Sequence, residues 1–513
     1  MWKMAVIFLI ALSTFTFPTE LRSETSPIWG KLTPGTHAVG FQVLFRKDPS
    51  RPFKSKRDYQ GHITNTDRSR PIQISIWYPA AASAKSNPIA LQDYLYLTAA
   101  EQTGLEPTDQ QKQNVITAFK NRWAQGASDE NIQAALKSKM LSSRNADPDK
   151  ERFPLVLIAP SSGLSSPISS VVLAEFLASH GYVVASSPAM GLNSRQISFS
   201  SVGVMTQMQD LQFLIANLNS FPAVDPNKLA VIGFSFGGLA GSLLAMYNGD
   251  VDAFVSLETA AGNKFGYSVL FQNPLYDPPL LRVPVLHLTT QETNADSNDA
   301  FLKAIKYAPL TVVKLKGMSS TDFSSFTMVT PLIPVPGSPQ QNQPRADKRA
   351  GYETICRYTL EFLNAKVKQD SKVEAFLNQP AQNESAIVET RAGLKIPPSE
   401  EEFMMILRQQ GLSAAKAIQQ ETKSKDPDYD IYDPITLVDF GRELVDQKKT
   451  NDAIQILQFN SEVYPDVWET YELMGTIYMN EGNKDLAIEN FEKVLEYDPQ
   501  NQNATETLKK LKS

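Results

Sequence analysis

The sequence predicts an α/β domain built on a mostly parallel sheet with helices on both faces, followed by an all-α domain of helical repeats. Three observations predict it. Short apolar runs alternate with helix-like stretches from residue 153 to about 360. A glycine-rich turn, Gly233-Phe234-Ser235-Phe236-Gly237-Gly238, follows one of those runs and precedes a helix. Beyond residue 398 the pattern is helical throughout and repeats every 34 residues.

The chain begins with Lys3, a short apolar run from Met4 to Leu12, and a polar stretch from Thr19. The run is shorter than the roughly 20 residues of a membrane span, and a charged start before a short apolar core reads as a secretory signal over 1–25. The expected location is a bacterial periplasm or the exterior, with no transmembrane span left once the signal is removed. A single cysteine, Cys356, excludes an intramolecular disulfide and a multi-thiolate metal site. The net charge of −6 over 513 residues argues against a broad nucleic-acid-binding surface. No H-E-x-x-H or phosphate-binding glycine motif occurs, so no metal or nucleotide cofactor is expected.

The elements follow in order. Pro71–Pro79 alternates and is rich in β-branched residues, so it reads as a strand. Residues 88–150 are polar and helix-favouring and read as a helical insertion. The runs LVLIA (155–159), YVVAS (182–186), LAVIG (229–233), AFVSL (253–257), VPVLHL (283–288) and LTVVKL (310–315) read as buried parallel strands. A helix over 361–378 closes this domain, which is expected over 26–378, and the polar stretch 379–397 reads as a linker. In the remainder, 398–513, Gly441 recurs as Gly475, Ala453 as Ala487, Leu457 as Phe491 and Pro465 as Pro499. Small residues there let paired helices approach closely, and the repeat looks like the tetratricopeptide repeat. Ala415 and Pro427 mark a degenerate preceding pair, and 501–512 a capping helix.

A strand–turn–helix around G-x-S-x-G is a nucleophile elbow. It makes Ser235 the candidate nucleophile. One oxyanion donor is then the backbone N–H of Phe236; the other is expected from Pro160-Ser161-Ser162-Gly163, with Ser162 preferred to Ser161. Glu258, ending the run AFVSL, is the candidate acid, and Asp322 a more remote one.

On VGFQVLFRKDPSR (39–51), RPIQISIWYPA (70–80), FPLVLIAPSSG (153–163), LASHGYVVASSP (177–188), VIGFSFGG (231–238) and RYTLEFLNA (357–365), the region 31–375 resembles the α/β-hydrolase family of platelet-activating factor acetylhydrolases and dienelactone-hydrolase-like esterases. The resemblance implies hydrolysis of a small ester or lipid-like substrate, with Ser235 as nucleophile and Glu258 as acid. It also implies a histidine after the last strand, and there the sequence departs: Gly317 to Phe323 reads GMSSTDF, and Ser320 occupies the histidine's place. Only His287 follows Ser235, inside an apolar run, while His37, His62 and His180 precede it. Serine cannot serve as the base that activates Ser235. Two readings therefore stand: an exported serine esterase assisted by His287 or an unusual base, or a catalytically inactive pseudoenzyme that binds a ligand while the repeats recruit a protein partner.

Overall fold

The computed structural model describes residues 26–63, 66–82, 84, 86–163, 165–292, 295–337, 339–373 and 386–513. The proposed signal, 1–25, lies outside them, as does the stretch 374–385. Two compact units are present, the first reaching Gly393 and the second spanning Leu394–Ser513.

The first unit is organised by one sheet. Its strands are β1 (Ala38–Pro52), β2 (Ser69–Ala80), β3 (Pro88–Ala90), β4 (Lys139–Arg144), β5 (Phe153–Ala159), β6 (Val183–Ser186), β7 (Val224–Phe234), β8 (Val251–Leu257), β9 (Val285–Thr290), β10 (Leu310–Leu315) and β11 (Ala386–Arg391). They lie in the order β11-β10-β9-β8-β7-β5-β6-β2-β1-β4-β3. From β6 to β10 every pair is parallel; β2 joins β6 antiparallel and β11 joins β10 antiparallel. This is the mostly parallel sheet that the alternating runs predict, in the arrangement of the α/β-hydrolase fold that the resemblance implies. The central strands are apolar on both faces because both are covered. In β5, Val156 and Ile158 face one core while Leu155, Leu157 and Ala159 face the other.

The helices divide accordingly. α1 (Leu91–Tyr96), α2 (Asp109–Trp123), α3 (Asp129–Leu136) and α4 (Val171–Ser179) contribute to the first core, whereas α5 (Ser201–Leu218), α6 (Gly237–Tyr247), α7 (Lys264–Phe271) and α8 (Ala300–Ala304) contribute to the second. α9 (Phe326–Val329) and α10 (Pro339–Lys366) return to the first. α4 reads VVLAEFLAS and is buried all round. Its one charged residue, Glu175, is fully enclosed, and accepts hydrogen bonds from Tyr94 (2.7 Å) and from the Leu141 and Ser142 amides (2.8 and 3.2 Å). A buried carboxylate is tolerated because these donors replace water, and the same bonds fasten the insertion to the body.

Three sequence boundaries are corrected. The insertion is not purely helical: β3 and β4 bracket α1–α3, with β4 parallel to β1 and β3 antiparallel to β4. Both strands are short and partly polar, so they carry little apolar signal. The helix expected over 361–378 is broken: α10 stops at Lys366, Gln369 turns into the left-handed region at φ 59°, residues 371–373 are helical again, and 374–378 lie outside the described residues. The segment read as a linker, 379–397, contains β11, in which Ala386–Arg391 pairs with Leu315–Leu310.

The second unit stacks helix pairs: Glu400–Gln410 with Leu412–Lys425, Pro434–Asp446 with Thr450–Val463, and Trp468–Asn480 with Lys484–Tyr497, ended by Gln502–Lys512. Ala415, Ala453 and Ala487 are fully buried. A Cβ on Gly441 would lie 3.1 Å from Leu457, and one on Gly475 3.0 Å from Phe491. The 34-residue spacing thus recurs because each glycine is the site where a helix meets its pair across a large apolar side chain.

Candidate active site

The elbow forms at the carboxyl end of β7. Ser235 adopts φ 51°, a left-handed conformation that L-residues enter at a cost of order 1–3 kcal/mol. Its backbone is fully engaged: Ser235 N–H donates to Leu257 O (2.9 Å), and Ser235 O accepts from Gly238 and Ala260 N–H (3.0 and 2.9 Å). The neighbouring glycines are obligatory. A Cβ on Gly233, Gly237 or Gly238 would fall closer than 3.0 Å to Gly238 Cα, to the Ala159 and Pro160 carbonyls, or to the Thr259 side chain respectively. The loop after β5 therefore lies directly against the start of α6. Gln207 of α5, buried, fixes it by donating to Pro160 O at 2.8 Å.

Among the described residues the amides of Phe236, Ser161 and Ser162 and the Ser235 hydroxyl have no hydrogen-bond partner. The two candidate oxyanion segments and the serine therefore sit on adjoining loops with their donors unspent. Ser161 turns its hydroxyl inward to accept from Gly163 N–H (3.3 Å) and is the more buried of the two serines.

Glu258 follows β8, also left-handed at φ 44°. Its Oε2 accepts from Thr289 Oγ1 and Thr290 N–H, both at 2.8 Å, and Ser320 Oγ donates to Oε1 at 3.4 Å. Burial raises the carboxyl above its usual range, and these hydrogen bonds pull it back only in part. Ser320 thus faces the acid from the loop after β10. That loop is anchored: Thr290 Oγ1 donates to Met318 O (2.9 Å), and Gly317 N–H donates to Glu292 Oε1 (3.0 Å). Asp322, the remote acid candidate, has another task. It accepts from Ser319 N–H (2.7 Å) and Ser319 Oγ (2.5 Å) and pairs with Lys348 (2.8 Å), capping the turn that carries Ser320.

His287 is not brought to Ser235, which corrects its candidacy as base. In register it stands opposite Ser256, which stands opposite Gly233, so two strand spacings, about 10 Å, separate its backbone from the elbow strand. The ring is enclosed in the sheet, with Nδ1 3.0 Å from Ser256 Oγ, and burial lowers its pKa to about 4. It is a neutral imidazole filling a polar gap. The other histidines are equally remote. His37 packs edge-on against Phe153 at the start of β5, a strand length of ~20 Å from Pro160. His180 caps α4 at that same end, its Nδ1 2.8 Å from Phe176 O. His62 lies exposed between β1 and β2, 3.3 Å from Asp58.

The His287 environment has a measurable consequence. Its pKa is 6.5 when unfolded and about 4 when folded, so the unfolded chain binds the additional proton between those values. Stability is complete above pH 6.5 and falls as pH drops toward 4, by about 3 kcal/mol at 1.36 kcal/mol per unit. Urea unfolding of His287→Gln between pH 4.5 and 7 is expected to show this part of the acid sensitivity removed. An unchanged slope would contradict the assignment.

The sequence did not single out Gln207, Thr289, Thr290 or Lys348. No motif marks them: Thr289 and Thr290 end β9 and meet Glu258, which follows the preceding strand, only in the fold. Among the described residues no three His, Cys, Asp or Glu side chains converge as a metal site, and no helix is long and apolar enough to cross a membrane.

Comparisons add the following. Residues 469–501 match the tetratricopeptide repeat family. No curated protein matches the chain. Among solved structures, a ferulic acid esterase from Streptomyces cinnamoneus aligns with a TM-score of 0.48 and 19% identity, covering 68% of this chain and 96% of that one. The chain joins a unit of α/β-hydrolase fold to a helical unit that carries a tetratricopeptide repeat.

Proposed function

We propose that this is an exported protein, related to the platelet-activating factor acetylhydrolase and dienelactone-hydrolase-like esterases, that keeps the acyl-transfer cradle and has lost its general base. The N-terminal unit binds a small carbonyl-containing ligand, an ester or lipid-like molecule, without efficient turnover, and the C-terminal unit recruits a protein partner through its stacked helices. One observation carries the reading: Ser320 donates to Glu258 where a base is required, while all four histidines of the chain stand elsewhere. A serine hydroxyl without a base is a weak nucleophile at neutral pH.

The competing reading, an active serine esterase, is favoured by the left-handed Ser235 and the unspent amides of Phe236 and Ser162. A fluorophosphonate probe separates the two, because it reports nucleophile activation without knowledge of the substrate. The expected result is no labelling of wild-type protein above the Ser235→Ala background. Labelling of wild type that vanishes in Ser235→Ala would overturn the proposal in favour of the esterase.

A further inference from the structure

Four half-buried basic side chains gather at the amino end of the sheet, the end away from the elbow: His37, His180, Lys228 and Lys368. The meeting point is Gly181, left-handed at φ 79° between α4 and β6. A Cβ there would lie 3.3 Å from His37 Nε2 and 3.3 Å from Lys368 Nζ, so the two nitrogens stand no further apart than twice that. Lys368 is held in place. Its Nζ donates to His180 O at 2.8 Å and lies over the Tyr182 ring, 4.0 Å from its centre. An ammonium has three hydrogens, and these contacts do not use them all. His37 Nε2 has no hydrogen-bond partner among the described residues.

The cluster lacks an acid. Lys228 acts on Lys368, and Lys368 and His37 act on His180, with no carboxylate acting on either. Among the described residues none of the four is in an ion pair. The nearby acids have other neighbours. Glu361 and Asp370 act on each other, and Glu361 on the Tyr182 hydroxyl. Asp225, Asp250 and Asp252 crowd one another beside Lys228, and Asp252 accepts from Leu229 N–H at 2.8 Å. Lys368 and the two imidazoles are left without a counter-charge. Like charges held together away from full solvent raise one another's energy, and an anion from outside removes that cost.

We propose that this cluster binds a small oxyanion of the phosphate class, one oxygen accepting from Lys368 Nζ and another from His37 Nε2. Charge-assisted bonds of about 2.7–2.9 Å on two oxygens of a tetrahedral anion span such a gap. A carboxylate would answer one cation, whereas a dianion answers several, and lysine serves phosphate as a point charge. The site lies about a strand's length from Ser235 and does not depend on whether that serine reacts.

The test is calorimetric titration of the purified protein with sulfate and with inorganic phosphate, at constant ionic strength in chloride. Each is expected to bind at one site with a Kd of about 10 mM or tighter. Lys368→Met is expected to weaken both at least tenfold. His37→Phe keeps a ring against Phe153 and is expected to weaken both at least threefold, so the result does not hang on the folding of one variant. Sulfate keeps its charge between about pH 6.5 and 9.5. Its binding is expected to weaken at least threefold over that interval, because burial and Lys228 lower Lys368 to about 8 and the bound anion needs its proton. Ser235→Ala is expected to bind sulfate as wild type does, so this result and the labelling result at the elbow are independent. Co-sedimentation with phosphatidylglycerol vesicles separates the sources of the anion: retention abolished by both sulfate and Lys368→Met assigns it to a lipid headgroup, and no retention assigns it to a free ion. No binding of sulfate or phosphate up to about 10 mM, or binding indifferent to either substitution or to pH, would overturn the proposal.

Discussion

Replacing Ser320 by histidine is expected to restore ester hydrolysis. The position already faces Glu258 Oε1 across 3.4 Å, and an imidazole there would be oriented by the carboxylate through one ring nitrogen, leaving the other for Ser235. Ser320 is exposed, so the substitution does not disturb the core. General acid–base assistance contributes about 10²–10⁴-fold, and a gain in that range on p-nitrophenyl acetate is expected in Ser320→His. Activity should rise with pH as the imidazole deprotonates from its ordinary value near 6.5, and Ser235→Ala in the same background should abolish it. Equal rates for wild type and Ser320→His would show that the oxyanion cradle or the placement of Ser235 is unfit as well, and the loss of a base would not then explain inactivity.

The largest effect on stability is expected at Asp210. This α5 residue receives Arg70 in a two-pronged pair, Nε to Oδ1 at 2.7 Å and Nη2 to Oδ2 at 2.6 Å, with Arg51 2.8 Å from Oδ1. Arg70 is only 1% exposed. Its remaining hydrogens go to the carbonyls of Met190, Gly191 and Leu192, at 3.1, 2.6 and 3.4 Å. One buried charge therefore fastens three segments: the start of β2, helix α5 and the loop after β6. Asp210→Ala leaves the guanidinium enclosed and uncompensated, which costs about 3–5 kcal/mol. Urea unfolding of the N-terminal unit is the measurement. The double variant Arg70→Met, Asp210→Leu is expected to recover much of the loss, because removing both charges also removes their desolvation penalty. A single variant as stable as wild type would mean that the carbonyls alone satisfy Arg70.

The sheet and the repeats were legible because their signals are periodic. Buried runs such as LVLIA and LAVIG can only be central strands once helices alternate with them, and a glycine facing Leu457 or Phe491 recurs wherever the helix pair recurs. The elbow was legible because its glycines answer to local geometry. What remained hidden depends on contacts distant in sequence. Strand β4 exists because Glu175, 34 and 33 residues further on, takes the Leu141 and Ser142 amides. Strand β11 exists because β10 offers it an edge. The partners of Glu258 come from the next strand, so the sequence pointed to the acid and to Ser320 separately while only the fold places them together. His287 illustrates the converse. Chain order made it the one histidine available, and strand register puts it inside the sheet.

Strand β11 also bears on how the protein can be divided. Among the described residues, Leu310–Leu315 is covered on its outer side by Ala386–Arg391 alone. A fragment ending at 378, where the helical pattern predicts the close of the first unit, would uncover a row of backbone donors and acceptors flanked by Val312 and Val313. Such an open edge is a template for pairing with other chains. Fragments intended to isolate the hydrolase-fold unit must therefore retain the chain through Gly393, and precipitation of a shorter one would report an unprotected margin rather than a dependence on the repeats.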